Sequence, residues 1–147
     1  MSENDNNSNN NGRILALDYG QKRTGIAVTD PLKILASPLE TVNTLKIFEF
    51  LKKYTETETI EAFVVGMPKN LDNTDTNNTP HVKGFVKSLA KLFPDVPIHL
   101  EDERFTSKMA LAAMIAAGTT KKQRQIKGNI DKISAVIILE SFLTKYF

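Results

Sequence analysis

Three carboxylate positions fall where an apolar run gives way to a turn or where a helix opens, and side chains at such points can converge from distant parts of a chain. Asp18 closes the run Ile14-Leu-Ala-Leu17, Asp102 and Glu103 follow the apolar stretch at 96–100, and Asp131 opens the last apolar segment. Each has an ordinary explanation when taken alone. Asp is a common turn residue, and Glu101-Asp102-Glu103 can be a solvated connection balanced by Arg104. An acidic residue in the first turn of a helix is favoured by the helix dipole.

Together the positions suggest more. Ser134, Ala135 and Ile138 stand three, four and seven residues after Asp131. On a helix they share its face, and small residues there allow close approach to a sheet. That would bring Asp131 beside a strand end, where Asp18 is available. Carboxylates gathered at one place repel one another and hold protons more tightly unless a cation neutralises them. The chain has no cysteine and only two histidines, and hard oxygen ligands of this kind suit Mg²⁺ or Mn²⁺. Two such ions can align and stabilise an in-line attack of water on a phosphodiester.

Cations lie near all three acids. Lys22 and Arg23 follow Asp18, Lys69 follows Gly66-Met-Pro68, and Lys121, Lys122, Arg124 and Lys127 precede Asp131. A run of Lys and Arg is usually a solvated loop. This one ends just before an acid, and a cationic rim around an acidic floor suits nucleic acid, whose phosphates position a protein without being read for sequence.

The elements that must hold these groups follow from the apolar pattern. Ile14-Leu-Ala-Leu17 is too continuous for a half-solvated strand and implies a sheet centre covered on both faces. Gly20 and Gly25 bound a tight turn into a second apolar strand ending at Thr29. Residues 34–42 form a further strand, and Pro38 within it points to the sheet edge. Asn43 or Thr44 caps a helix carrying Leu45, Phe48 and Leu51. Residues 62–65 read as a buried strand whose pairing stops at Gly66-Met-Pro68. Thr79-Pro80 reads as a cap and first helical position, and Pro94 ends that helix. A strand at 96–100 runs into the acidic cluster, a helix spans 108–117, TTKKQRQIKG (119–128) is a basic loop, and a nearly all-apolar helix spans 129–146. The order is three strands, helix, strand, helix, strand, helix, helix. It describes an α/β domain with a mixed sheet, an antiparallel unit first and helix-connected parallel strands after.

Composition bounds the rest. The 147 residues fit one domain, with a disordered Asn-rich tail at 1–12 and a folded domain at 13–147. Charge is close to balanced, 19 Lys+Arg against 17 Asp+Glu, so a polyanionic partner would rely on local clustering. The absence of cysteine excludes disulfides and thiolate chemistry. No apolar run approaches membrane-spanning length. The expectation is a soluble cytoplasmic protein with no membrane partner.

Four ordered motifs resemble the YqgF family, the pre-16S rRNA nucleases also described as Holliday junction resolvase-like proteins. They are Leu17-Asp18-Tyr-Gly20 with Gly25-Ile-Ala-Val28; Val65-Gly66-Met-Pro68 with Asn70-Leu-Asp-Asn73; Asp102-Glu103-Arg104-Phe-Thr106-Ser107; and Lys127-Gly-Asn-Ile-Asp131 leading into Ser134-Ala-Val-Ile-Ile-Leu-Glu140-Ser. The resemblance implies an RNase H-like fold, a mixed five-stranded sheet flanked by helices. It implies Asp18, Glu103 and Asp131 as catalytic metal-binding carboxylates, with Arg104 and the neighbouring cations toward phosphate. The implied activity is hydrolysis of phosphodiester bonds at the 5′ end of pre-16S rRNA, within a pre-ribosomal particle, by a monomer or homodimer. A junction-resolving DNA endonuclease and a non-catalytic ribosome-assembly factor are the alternatives. A nucleotide-binding protein of the actin and hexokinase type ranks lower, because the chain lacks a second lobe.

Overall fold

A computed structural model describes residues 12–70, 72, 74–103, 112, 116 and 127–146. Five strands form one sheet: β1 (Arg13–Tyr19), β2 (Arg23–Thr29), β3 (Ala36–Asn43), β4 (Ile60–Met67) and β5 (Ile98–Asp102). Three helices accompany them among the described residues: α1 (Ile47–Thr57), α2 (Thr79–Leu92) and α3 (Lys127–Tyr146). The strand order is β3-β2-β1-β4-β5. The β3-β2-β1 pairs are antiparallel and the β1-β4-β5 pairs parallel, so the sheet is mixed, as the sequence implies.

Alternation along the central strands divides the core into two layers, because successive side chains leave a strand on opposite faces. Leu15 and Leu17 pack with Ile26, Phe63 and Val65 against Ile47 and Leu51 of α1 and Val82, Phe85 and Leu89 of α2. Ile14 and Ala16 pack with Ala27 and Val64 against Ala135, Ile138, Leu139 and Phe142 of α3. The continuous apolar run of β1 is thus explained by cover on both faces. Two residues beyond Ala16, Asp18 emerges on the α3 side.

Pro38 lies in an edge strand, where its missing N–H is tolerated. The ladder slips there, with Ile26 opposite Glu40 and Ala27 opposite Pro38, so Leu39 is bulged out. Asn43 does cap, but the turn it caps is the 3₁₀ segment Thr44–Lys46 that precedes α1, through Oδ1 accepting from the Leu45 N–H at 3.0 Å.

Three details differ from the sequence reading. Gly66 and Met67 do not end β4; they pair with Glu101 and Asp102, and the glycine serves a close approach described below. Correspondingly β5 continues through Glu101 and Asp102 instead of releasing them into a connection. Thr79 is not the helix cap. Asn78 holds that position, while the Thr79 hydroxyl donates to the Pro68 carbonyl at 3.0 Å and accepts from the Thr76 N–H at 2.8 Å. The helix expected at 108–117 and the tail at 1–11 lie outside the described residues, apart from isolated positions 112 and 116, which are helical. Gly12 is buried beside Glu61. Among the described residues no helix is long and apolar enough to cross a membrane.

Candidate active site

The parallel strands β1, β4 and β5 end side by side, the sheet end at which open α/β folds bind ligands. Asp18 lies near the end of β1. Glu103 follows β5 and prolongs its pairing, its N–H donating to the Met67 carbonyl at 3.2 Å. Between them runs β4, and Gly66 leaves that strand bare on the α3 side. A Cβ at Gly66 would lie 2.6 Å from Glu103 Oε2 and 2.6 Å from Ile138 Cδ1. Glu103 can therefore reach over β4 and hydrogen-bond Asp18.

A second glycine brings in the third acid. Gly25 pairs with Asp18 across the β1–β2 ladder, and a Cβ there would run into the backbone carbonyl of Asp131. Only a residue without a side chain lets the first turns of α3 come this close to β2. Asp18, Glu103 and Asp131 are thus drawn toward one sheet end from three elements far apart in sequence.

Burial pushes the Asp18 carboxyl up to about 6 and the charge of Asp131 adds to the rise, while the bond from Glu103 opposes it. Glu103 is pushed higher, to about 10, first by burial, then by the charge of Asp18 and the bond to it, with a lesser contribution from Asp102. Two carboxyls in contact cannot both ionise readily. At neutral pH Glu103 keeps its proton and donates it to the Asp18 carboxylate. Asp131 Oδ2 accepts from Arg23 Nε at 3.2 Å. In this arrangement no group of three or more His, Cys, Asp or Glu among the described residues closes into a metal cage.

A cleft of about 260 Å³ opens beside the pair, lined by Asp18, Tyr19, Pro68, Lys69, Thr76, Asn78 and Glu103. A wider one of about 350 Å³, between Val42 and Lys53, lacks paired carboxyls, so chemistry and not size selects the site. The sequence reading missed Asn78, whose Nδ2 donates to the Tyr19 carbonyl at 3.1 Å and ties the start of α2 to the end of β1. Its signal was faint: one Asn within the polar run that precedes α2.

The cations fare unequally. Lys22 is exposed in the β1–β2 turn, and Arg23 engages Asp131. Lys69 reaches the cleft, but its Nζ is held 2.6 Å from Asp75 Oδ1. Arg104, Lys121, Lys122 and Arg124, and the side chain of Lys127, lie outside the described part of the chain.

Comparison with known proteins shows the family and the fold. A family model described as "RuvX: Holliday junction resolvase" matches residues 12–145. A Christiangramia forsetii protein named "Putative pre-16S rRNA nuclease" is 50% identical over 131 residues, covering 89% of this chain and 97% of its own. A Phocaeicola vulgatus protein of the same name is also 50% identical over 131 residues, covering 89% and 94%. The structure described as "T. thermophilus RuvC in complex with Holliday junction substrate" superposes with a TM-score of 0.53 at 18% identity, covering 92% of this chain and 96% of that one. That likeness establishes the RNase H-like fold.

Proposed function

Since the chain belongs to the RuvX family of Holliday junction resolvase-like proteins, we propose that it is a metal-dependent nuclease that hydrolyses phosphodiester bonds at the 5′ end of pre-16S rRNA. The observation that carries the reading is the Asp18–Glu103 pair: two partly buried carboxyls in contact, both with raised proton affinity, at the end of three parallel strands. Perturbed acids in a cleft are the usual mark of a working site.

The donor set fits a divalent cation. A shared proton now offsets the repulsion within the pair, and an ion can take its place with hard oxygen ligands on both sides. Asp18 and Glu103 would hold it and Asp131 would complete the set, with Mg²⁺ or Mn²⁺ as the ion. When bound, such an ion supplies charge stabilisation for in-line displacement at phosphorus. The chain's own groups do the remaining work. Lys22, Arg23 and Lys69, with Arg104, Lys121, Lys122, Arg124 and Lys127, attract and orient the phosphate backbone. Asn78 steadies the end of β1 next to Asp18. Lys and Arg contacts to phosphate position the backbone without reading bases, so the shape of the RNA and the surrounding pre-ribosomal particle set the point of cleavage.

The family description favours a second reading, resolution of branched DNA by the same chemistry. Purified protein incubated with a precursor rRNA 5′ end and with a four-way DNA junction, each with Mg²⁺ or Mn²⁺, separates the two. Cleavage should need the metal, favour the RNA, and fall at least about 100-fold in Asp18→Asn, the loss typical of removing a key electrostatic group. Preference for the junction would support the DNA reading. Equal inertness of wild type and variant on both substrates, with binding to pre-ribosomal particles retained, would point to an assembly factor.

A further inference from the structure

Glu101 is a buried carboxylate that this chemistry does not use. It lies in β5 two residues before Glu103, with 4% of its surface exposed. Its side chain points to the far half of α3. Ser141 Oγ donates to Oε2 at 3.0 Å, and Lys145 Nζ donates to both carboxylate oxygens at 3.1 Å. Lys145 itself is more than half exposed, at 57%.

A buried ion pair adds little net stability, because desolvation offsets most of the attraction; what it can supply is a fixed register. Helix α3 needs one. Ala135, Ile138, Leu139 and Phe142, on its sheet-facing side, make contacts that are not directional. Slipping by one residue shifts a helix by about 1.5 Å and turns each side chain by about 100°. Asp131, ten residues before Ser141, would then swing away from Asp18.

We infer that Glu101, through Ser141 and Lys145, is a positioning residue that fixes the register of α3 on β5 and so holds Asp131 beside Asp18 and Glu103. This rests on the reading of those three carboxylates as a metal site. The clasp joins the strand that delivers Glu103 to the helix that delivers Asp131, and so links two of the three acids from the opposite end of the helix.

The test is Glu101→Met, which fills similar space and leaves both former partners at exposed positions where water can reach them. Its thermal midpoint should match or exceed wild type. Its Mn²⁺ affinity, measured by calorimetry, should fall about tenfold or more. The amide NMR signal of Gly25, which packs on the Asp131 backbone, should move. Glu101→Gln keeps an acceptor for Ser141 and Lys145 and should restore the Gly25 signal and most of the affinity. Should Glu101→Met not fold, Ser141→Ala with Lys145→Ala removes the same contacts; it leaves Glu101 buried without these partners, so its midpoint should fall, while the Mn²⁺ affinity and the Gly25 signal should change as in Glu101→Met. A folded variant with wild-type Gly25 signal and wild-type Mn²⁺ affinity would overturn the inference. Failure of the wild type to bind Mn²⁺ would instead overturn the metal-site reading, and the Gly25 signal would still decide the register.

Discussion

Glu103 hydrogen-bonds Asp18 from across an intervening strand. Side chains on β1 and beyond β5 would normally be separated by whatever β4 presents between them. Here β4 presents Gly66, and the Glu103 carboxyl occupies the space a side chain would have filled. The proton-sharing pair is therefore a product of backbone choice on a third element, and its properties can be tested through each of the three.

The pair makes folding pH-dependent. Both carboxyls hold protons more tightly in the folded chain, chiefly because burial penalises the charged forms. A raised carboxyl pKa stabilises the fold while the proton is on and opposes it once ionisation is required. Without divalent cation, this contribution is complete below about pH 4, the range of free carboxylates. It is lost as pH rises through the Asp18 value of about 6 and on toward the Glu103 value of about 10. Glu103→Gln can still donate to Asp18 but cannot ionise. Relative to wild type it should gain stability as pH rises from about 4 toward the Glu103 value of about 10, by on the order of 3 °C in midpoint for each kcal/mol or so. Thermal melts in chelator across this range check it; a constant difference from wild type would contradict the shared-proton account.

The glycines separate close approach from mere helix content. Gly66→Ala sets a Cβ against Glu103 Oε2 and Ile138 Cδ1 and should cost about 1–3 kcal/mol through overpacking. Gly25→Ala meets the Asp131 backbone, which cannot rotate aside as a side chain can, and should cost at least as much. Gly84, exposed within α2, has nothing within 4 Å of an added Cβ. Gly84→Ala should stabilise by about 0.5–1 kcal/mol, the helix-propensity gain. Urea denaturation of the three variants measures all three signs.

Much of this was legible in the residues. The apolar run before Asp18 announced a doubly covered strand, Pro38 an edge, and the small residues after Asp131 a helix lying close on a sheet. What escaped was set by partners from other elements. Gly66 looked like a strand terminator because glycine usually interrupts pairing, and nothing local shows that Glu103 needs its space. Glu101 looked like one more solvated acid in a cluster, and its inward turn depends on Ser141 and Lys145, some forty residues away. Lys69 belongs to the cationic rim the sequence suggests, and its ion pair with Asp75 is made by the fold of the loop that carries both.

Arg23 offers a test at the rim. Its bond to Asp131 is an exposed ion pair, with 41% of the Arg23 side chain accessible, and such pairs contribute at most about 1 kcal/mol. Arg23→Ala should therefore melt close to wild type. If the residue also meets phosphate, the slope of log affinity against log salt should fall by about one. Filter-binding titrations with structured RNA over a range of salt would show it, and an unchanged slope would remove Arg23 from the interface.

Asp75 makes the opposite prediction. It holds Lys69 at 2.6 Å and lies 3.7 Å from Lys83, so a phosphate approaching the cleft must compete with it for Lys69. The same contacts hold the Asp75 carboxyl below its ordinary range, the bond to Lys69 first among them, which keeps it charged and competing throughout the neutral region. Asp75→Asn would remove the competitor while leaving an amide able to hold the loop. A purely structural Asp75 would make the variant bind RNA more weakly. A competing Asp75 would make it bind more tightly and steepen the salt dependence by about one unit. The second outcome is expected, because the negative charge is removed beside a cation that already lines the cleft with Asp18 and Glu103.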